Sequence, residues 1–302
     1  MSELSERMRG CLLGLAVGDA VGTSVEFTRR GSFTPLNDMI GGGPFHLKPG
    51  QWTDDTSMAL CLASSLVERR GFDARDQMER YWDWRRNGTF SSTGRCFDIG
   101  ATTQQALQRY KETGEPFSGS TDPYSAGNGS IMRLAPVALA YYPDRDLIWH
   151  YAAESSRTTH GALECLDACR LLGDILYQAL SGAGMADALL STDPQRLASK
   201  KIQSIARGEY RDKVEGDIRG TGYVVAALEA ALWCFWTTDS FEEAILKAAN
   251  LGDDADTTAA ICGQMAGAFY GASGIPPRWL EKLALREEIG ELATKLEELI
   301  LA

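Results

Sequence analysis

The chain has 302 residues, of which 30 are Lys or Arg and 41 are Asp or Glu, so its formal charge at pH 7 is −11. This excess of acids argues against a nucleic-acid polymer or an anionic membrane surface as partner, because both need a basic face. Apolar residues make up 44% and charged residues 24%, a globular balance that excludes a chain disordered throughout. The length fits one large domain or two small ones.

The first apolar segment, residues 11–18, is short and follows the acids Glu3 and Glu6, which is unlike a signal peptide. No window reaches the roughly 18 apolar residues of a membrane span. Seven Cys residues without a C-x-x-C pair, beside only three His residues, favour free thiols over a zinc site. We therefore expect a soluble cytoplasmic protein that binds neither nucleic acid nor membrane.

Apolar residues recur at helical spacing along most of the chain. Such stretches begin at Ala59, Leu163 and Val224, and a continuous apolar run over residues 134–142 favours a buried helix. No alternating strand pattern competes, so we expect a single all-α domain over residues 1–302 with roughly a dozen helices. The last helix has an apolar stripe that favours docking on the domain over a coiled-coil partner; the stripe consists of Leu285, Ile289, Leu292, Leu296 and Leu299.

Two clusters of acids interrupt this helical background, 200 residues apart. The first, Asp54 and Asp55, precedes the helix expected from Met58, and the second, residues 253–256, precedes the apolar run that starts at Ala259. Capping a helix N-terminus needs one such residue, whereas these clusters hold two and three acids. N-capping alone is the simpler alternative, and a cation site is the hypothesis that explains the surplus.

Carboxylate and hydroxyl oxygens are the ligands that suit Mg²⁺ or Mn²⁺. If four acids from the two clusters meet, their repulsion needs about two divalent cations to cancel it. The cofactors predicted are therefore two Mg²⁺ or Mn²⁺ ions. Their candidate ligands are Thr53, Asp54, Asp55, Asp254, Asp256 and Thr257.

Three other polar segments are candidate site elements. Gly18 and Gly22 stand four residues apart in a helical context, which predicts a close backbone approach, and Glu26 after them is either a surface acid or a catalytic one. The Gly-rich segment 127–130 precedes an apolar run, so it is either an anion site at a helix N-terminus or a plain turn. His160 stands at an expected helix start, where a capping role is the simpler alternative to a catalytic one.

Taken in order, these segments resemble the motifs of the ADP-ribosylglycohydrolase family. The matching segments are residues 18–26, 52–56, 127–133, 159–160 and 254–257, and the resemblance extends from about residue 7 to 283. It implies an orthogonal all-α fold and a binuclear Mg²⁺ or Mn²⁺ centre, held by the six candidate ligands, that engages the ribose hydroxyls beside the scissile bond.

The resemblance also implies roles for single residues. The catalytic group would comprise Glu26, Asp55 and Asp98, with Asp98 facing the guanidinium in the arginine-specific branch. Two departures weaken the match, because Ala101 stands where that branch commonly has Asn, and Asp253, where many members have Gly, competes with Asp254 as ligand. The substrate-binding residues would be Gly127, Asn128, Gly129 and Ser130 at the phosphates, His160 at the ADP-ribose and Tyr223 beside the adenine.

The activity implied is metal-dependent removal of ADP-ribose from a modified protein side chain, most directly arginine, so the expected partner is an ADP-ribosylated protein. Other members of the same fold would act on serine-linked or O-acetyl-ADP-ribose. A non-catalytic ADP-ribose-binding or structural protein is a further alternative, although both acid clusters are intact. A metal-dependent phosphohydrolase would use clustered acids in the same way.

Overall fold

The computed structural model of the chain describes residues 2–301, and helices form nearly all of its regular structure. Fourteen α-helices lie in that range, with short 3₁₀ turns and three isolated β-bridges between them. The prediction of an all-α fold is confirmed. In chain order the helices are α1 Glu3–Gly22, α2 Asp54–Arg69, α3 Ala74–Asn87, α4 Ala101–Thr113, α5 Ala135–Tyr141, α6 Arg145–Arg157, α7 Leu163–Leu180, α8 Met185–Leu189, α9 Lys200–Ala206, α10 Val224–Trp236, α11 Phe241–Ala249, α12 Ala255–Tyr270, α13 Pro277–Lys282 and α14 Arg286–Leu301.

Helices α1 and α12 pack backbone against backbone at the centre of the fold. A Cβ atom at Gly18 would lie 2.1 Å from the carbonyl oxygen of Ala259, and one at Gly22 would lie 2.4 Å from that of Ala255. Any larger side chain would push the two helices apart. The close approach predicted from these glycines is confirmed, and it sets the C-terminal end of α1 beside the acidic first turn of α12.

The C-terminal helix docks on the body of the domain as its apolar stripe predicted. Helix α14 packs on α1, α2 and α5, and Ile289, Ala293 and Leu296 are fully buried. The apolar run at residues 134–142 forms the buried helix α5, also as predicted. Across residues 2–301, each helix is too short or too polar to cross a bilayer.

Both acid clusters lie at helix starts. Helix α2 begins at Asp54, not near Met58, while α12 begins at Ala255, directly after Asp253 and Asp254. The expected start of α2 was wrong because apolar spacing marks only the buried part of a helix, while the polar first turn is helical too. The carboxylates thus lie at helix N-termini, where the backbone dipoles favour negative charge.

The Gly-rich segment 127–130 does not run into a helix, because α5 begins only at Ala135. Its backbone pairs instead with the segment before α10. The N–H of Asn128 donates to the carbonyl of Gly222 at 3.0 Å, and the N–H of Val224 donates to that of Ala126 at 3.0 Å. Of the two alternatives for this segment, the helix N-terminus is therefore wrong, and the structure has a turn.

Candidate active site

Asp19 on α1 fixes the start of α2, a role that no sequence motif indicated. Its buried carboxylate accepts hydrogen bonds from the N–H groups of Thr53 and Thr56, at 2.9 and 3.0 Å, and from their hydroxyls, at 2.9 and 2.6 Å. Burial raises the pKa of Asp19 to about 6, although these hydrogen bonds oppose the shift. Because Asp19 accepts from the N–H of Thr56 in the first turn of α2, it does the work of a capping side chain, and Asp54 and Asp55 are not needed for that bond.

The two acid clusters meet at Thr53. Its hydroxyl oxygen lies 3.3 Å from Oδ2 of Asp55 and 3.2 Å from Oδ2 of Asp256. The hydroxyl of Thr257 lies 3.4 Å from the same oxygen of Asp55. The convergence that a shared cation site requires is therefore present, between first turns that are 200 residues apart in the chain.

We call the cluster of Thr53, Asp54, Asp55, Asp256 and Thr257 the polar centre. It has more carboxylate oxygens than hydrogen-bond donors. Among the described residues 2–301, Oδ1 of Asp55 and Oδ1 of Asp256 are buried without a hydrogen-bond partner. Burial raises the pKa of Asp54, Asp55 and Asp256 well above the usual carboxylate range, and the neighbouring carboxylates raise it further. Buried anionic oxygens that lack donors are costly unless a cation binds them. The residues therefore fit a hard cation such as Mg²⁺ or Mn²⁺.

A second group of acids lies beside this centre. Glu26, Asp98 and Asp256 each bring one carboxylate oxygen within 4.8 Å of the others. Burial, followed by the charge of Asp98, raises the pKa of Glu26 to about 9. Burial, followed by the charge of Asp19, raises the pKa of Asp98 to about 7. Carboxylates this close cannot all be ionised unless a cation or a shared proton lies between them.

These acids open into a cavity of about 570 Å³. Thr53 and Asp55 are buried next to the cavity and do not line it. The predicted site residues that line it are Glu26, Asp54, Asp98, Gly127, Asn128, Gly129, His160, Asp254, Asp256 and Thr257. Most of the residues singled out in the sequence thus surround one space.

Asp253 and Asp254 both line the cavity but make different contacts. Oδ2 of Asp254 accepts a hydrogen bond of 2.7 Å from Nδ2 of Asn128, so this carboxylate joins α12 to the Gly-rich segment. Asp253 has a left-handed backbone, with φ of +54°. Its carbonyl accepts from the N–H of Phe27 at 2.7 Å, and its own N–H donates to Thr28 at 2.8 Å. The backbone of Asp253 therefore positions the segment that follows Glu26.

His160 is buried between α6 and α7 and does not cap a helix, in contrast to the simpler expectation. Nη2 of Arg133 donates to the hydroxyl oxygen of Thr159 at 2.7 Å, and that oxygen lies 2.8 Å from Nδ1 of His160. A guanidinium can only donate, so the Thr159 hydroxyl accepts from Arg133. Among residues 2–301 the hydroxyl proton has Nδ1 of His160 as its one acceptor in reach, and with that arrangement Nε2 carries the ring proton.

The imidazole faces the Gly-rich segment and the cavity. A Cβ atom at Gly127 or Gly129 would lie 3.3 or 3.1 Å from Nε2 of His160, so the ring packs where these residues have no side chain. Burial, followed by the nearby charge of Arg133, lowers the pKa of His160 to about 3. His160 is therefore a neutral N–H donor at neutral pH, not a base.

Two predicted substrate-binding residues lie outside this cavity. The side chain of Ser130 is buried, and its hydroxyl accepts a hydrogen bond of 2.9 Å from Ser156. Tyr223 lines a second cavity of about 600 Å³, which shares Thr102, Gly127 and Gly222 with the first. The structure thus places Ser130 behind the Gly-rich segment and Tyr223 in an adjoining space.

Sequence reasoning assigned no role to two residues that shape the site, Asp19 and Arg133, although both lie within the segments 18–26 and 127–133. Both are fully buried, and both are lone charged residues inside otherwise apolar segments. That isolation was the available signal, because a charge in an apolar segment needs buried polar partners. The partners, Thr53 and Thr159, could not be assigned without coordinates.

This chain is similar to known proteins over nearly its whole length. The model of the family described as ADP-ribosylglycohydrolase matches residues 1–301. The ADP-ribosylarginine hydrolase Tri1 of Pseudomonas putida is 47% identical over 291 residues, which cover 96% of this chain and 78% of that protein. The ADP-ribosyl-[dinitrogen reductase] glycohydrolase of Rhodospirillum rubrum is 34% identical, with 94% and 92% of the two chains covered.

A solved structure described as an ADP-ribosylglycohydrolase-related protein complex has a TM-score of 0.89 to this fold at 44% identity, and the match covers 99% of both chains. The chain belongs to the ADP-ribosylglycohydrolase family and is a glycosidase-type hydrolase. Its acid cluster is one that could hold a metal ion.

Proposed function

We propose that this protein removes ADP-ribose from modified arginine side chains of other proteins, and that it does so with two bound Mg²⁺ or Mn²⁺ ions. The observation that carries the proposal is the convergence of Asp55 and Asp256 on the hydroxyl of Thr53, with the buried oxygens of both carboxylates facing no donor within residues 2–301. The arginine linkage is supported by relatives named as ADP-ribosylarginine hydrolases at 47% and 45% identity.

The cations would be held by the two acidic first turns. Thr53, Asp54 and Asp55 would contribute from α2, and Asp256 and Thr257 from α12. Asp254 is the better candidate than Asp253 for the remaining position, because its carboxylate lies beside the side chains of Asp256 and Thr257. When bound, the cations would supply Lewis acidity that orients the vicinal ribose hydroxyls and activates water.

The protein's own groups would place the rest of the substrate. The backbone of the Gly-rich segment lines the cavity. The neutral imidazole of His160 adds an N–H donor to the same wall, which suits a phosphate or ribose oxygen. We propose that Gly127, Asn128 and Gly129 hold the diphosphate. Tyr223, in the adjoining cavity, would flank the adenine, since an aromatic face suits a planar base.

Hydrolysis would form a bond between a water oxygen and C1″ of the ribose and break the bond from C1″ to the arginine nitrogen. With the cations bound and the acids ionised, Glu26, which lies beside Asp98 and Asp256, would accept one proton from the water and pass it to the departing guanidine. Asp98 would pair with the guanidinium, and the surrounding carboxylates would favour the oxocarbenium character of the transition state.

A substrate panel tests this function. The protein is incubated with ADP-ribosyl-arginine, ADP-ribosyl-serine, O-acetyl-ADP-ribose and a phosphate monoester, each with Mg²⁺, with Mn²⁺ or with EDTA, and free ADP-ribose or phosphate is measured. We expect release of ADP-ribose from the arginine conjugate only with a divalent cation. Preference for another conjugate, for the phosphate ester, or for none of them would contradict the proposal.

A further inference from the structure

Three phenylalanines form an aromatic rim at the edge of the cavity, in which Phe27 is exposed and lines the cavity while Phe45 and Phe97 are half-buried behind it. We define this aromatic rim as Phe27, Phe45 and Phe97. The ring centroids of Phe27 and Phe45 are 6.5 Å apart, and those of Phe45 and Phe97 are 5.1 Å apart. Phe27 directly follows Glu26, and Phe97 directly precedes Asp98, so the rim continues the acid cluster outward.

Phe27 has an exposed apolar side chain and an unfavourable backbone conformation. Its side chain is 68% exposed although it lines the cavity. Its backbone is left-handed, with φ of +58°, a conformation that bulky residues rarely adopt. Hydrogen bonds between the backbones of residues 27–28 and Asp253 keep it there. Strain at a functional site, combined with a fixed apolar surface, is typical of residues that contact a ligand.

The chemistry around the rim selects one kind of partner. Glu26 and Asp98 line the same cavity as the exposed ring of Phe27, and this combination suits a guanidinium, which can pair with a carboxylate and stack on an aromatic ring at the same time. A neutral serine linkage would gain neither the ion pair nor the cation–π contact.

We infer that the aromatic rim is the subsite for the modified arginine of the protein substrate, with Phe27 as the residue that sets specificity for the guanidinium. This inference rests on the proposed function. It extends that function from recognition of the ADP-ribose to recognition of the arginine side chain that hydrolysis releases. The rim contributes to binding the arginine in the ground state, while the acids act on the scissile bond.

Steady-state kinetics of Phe27→Ala with an ADP-ribosyl-arginine peptide test the inference. We expect KM to rise about three- to tenfold with kcat nearly unchanged, because a lost cation–π contact removes binding that is equal in ground and transition states. The inhibition constant of free ADP-ribose should stay at the wild-type value. Phe27→Tyr should behave like the wild type, and Phe27→Leu, which keeps apolar area without a π face, should resemble Phe27→Ala.

Leu147→Ala on α6 is a matched control, since Leu147 is 41% exposed and lines neither cavity. It should change no kinetic constant, and thermal melting should show that every variant is folded. Equal KM values for the wild type and Phe27→Ala would overturn the inference alone. An equal loss of ADP-ribose inhibition would also overturn it, because Phe27 would then act on the nucleotide. A wild-type protein that releases no ADP-ribose from the peptide would overturn the proposed function and the inference together.

Discussion

The carboxylate of Asp19 accepts hydrogen bonds from both the backbone N–H and the hydroxyl of Thr53, each at 2.9 Å. Through this contact the central helix α1 fixes the first turn of α2. The hydroxyl of Thr53 in turn lies between Asp55 and Asp256. Asp19 therefore positions the polar centre from behind without lining the cavity.

Replacing this carboxylate should weaken both the fold and the site. In Asp19→Asn, the amide group presents N–H donors to the N–H of Thr53 or Thr56, so a buried donor loses its acceptor. We expect the free energy of unfolding to fall by about 1–3 kcal/mol and the affinity for Mn²⁺ to fall as well. Urea unfolding and calorimetric titration measure the two effects.

Asp73→Asn serves as the control for that variant. Asp73 caps α3 by accepting from the N–H groups of Arg75 and Asp76, at a half-buried position where Asn is an equally good cap. It should change neither stability nor Mn²⁺ affinity appreciably. If Asp19→Asn behaved the same way, Asp19 would not have the positioning role.

Calorimetric titration of the metal-free protein with Mn²⁺ distinguishes the candidate ligands. We expect two ions per chain for the wild type, and a lost or much weakened site in Asp54→Asn, because a carboxylate ligand becomes neutral. Asp254→Asn should weaken binding more than Asp253→Asn, since Asp254 is the carboxylate that lies beside the other candidate ligands of α12. The reverse order for the last two variants would move the ligand assignment to Asp253.

The acid cluster should make the metal-free protein less stable as the pH rises. The folded protein keeps protons on Glu26 and Asp98, whose pKa values are raised to about 9 and about 7, whereas the unfolded chain loses them near pH 4. Between about pH 5 and pH 9 the unfolded state thus binds fewer protons, so a rise in pH favours unfolding. In EDTA, the melting temperature should be lower at about pH 8.5 than at about pH 5.5.

Added Mg²⁺ should raise the melting temperature more at the higher pH, because the cation replaces the protons. Glu26→Gln is the control, since one titrating group is removed and the pH dependence in EDTA should be shallower. A metal-free protein that becomes more stable towards pH 8.5 would contradict the raised pKa values.

His160 should remain a neutral imidazole with its proton on Nε2. Nitrogen NMR of the wild-type protein should show this tautomer without titration between about pH 5.5 and pH 8, in keeping with a pKa lowered by burial. Subtraction of the His160→Gln spectrum assigns the signal among the three His residues. In Thr159→Val, Nδ1 loses its donor, and we expect mixed tautomers and kcat/KM reduced about fivefold.

Thr159→Ser keeps the hydroxyl and should restore the wild-type tautomer and most of the activity. A wild-type signal that titrates near pH 6.5, or a proton on Nδ1, would show that the contact with Thr159 does not fix the ring.

Much of the fold could be predicted because apolar spacing reports burial directly. The stripe from Leu285 to Leu299 predicted the docked α14, and Gly18 with Gly22 predicted the close contact of α1 with its neighbour. The start of α2 was misplaced, since its first turn is polar and is stabilised by a group elsewhere in the chain. That group, Asp19, caps a helix that begins 35 residues later.

The site could be predicted in its residue types but not in its detailed arrangement. A surplus of acids at two helix starts needs an explanation beyond capping, and this indicated Asp54, Asp55 and Asp256. No pattern reveals that Ser130 turns away from the cavity or that Thr159 orients His160, because these contacts depend on tertiary packing between separate segments. The aromatic rim was missed for the same reason, since Phe27, Phe45 and Phe97 come from three loops.

The central claim is that acids from α2 and α12 act together in removing ADP-ribose from arginine. The most direct test measures release of ADP-ribose from an arginine-ADP-ribosylated protein, in Mg²⁺ or Mn²⁺, by the wild type and by Asp256→Asn side by side. We expect steady release by the wild type and almost none by the variant, with both proteins folded. Equal rates for the two proteins would contradict the claim.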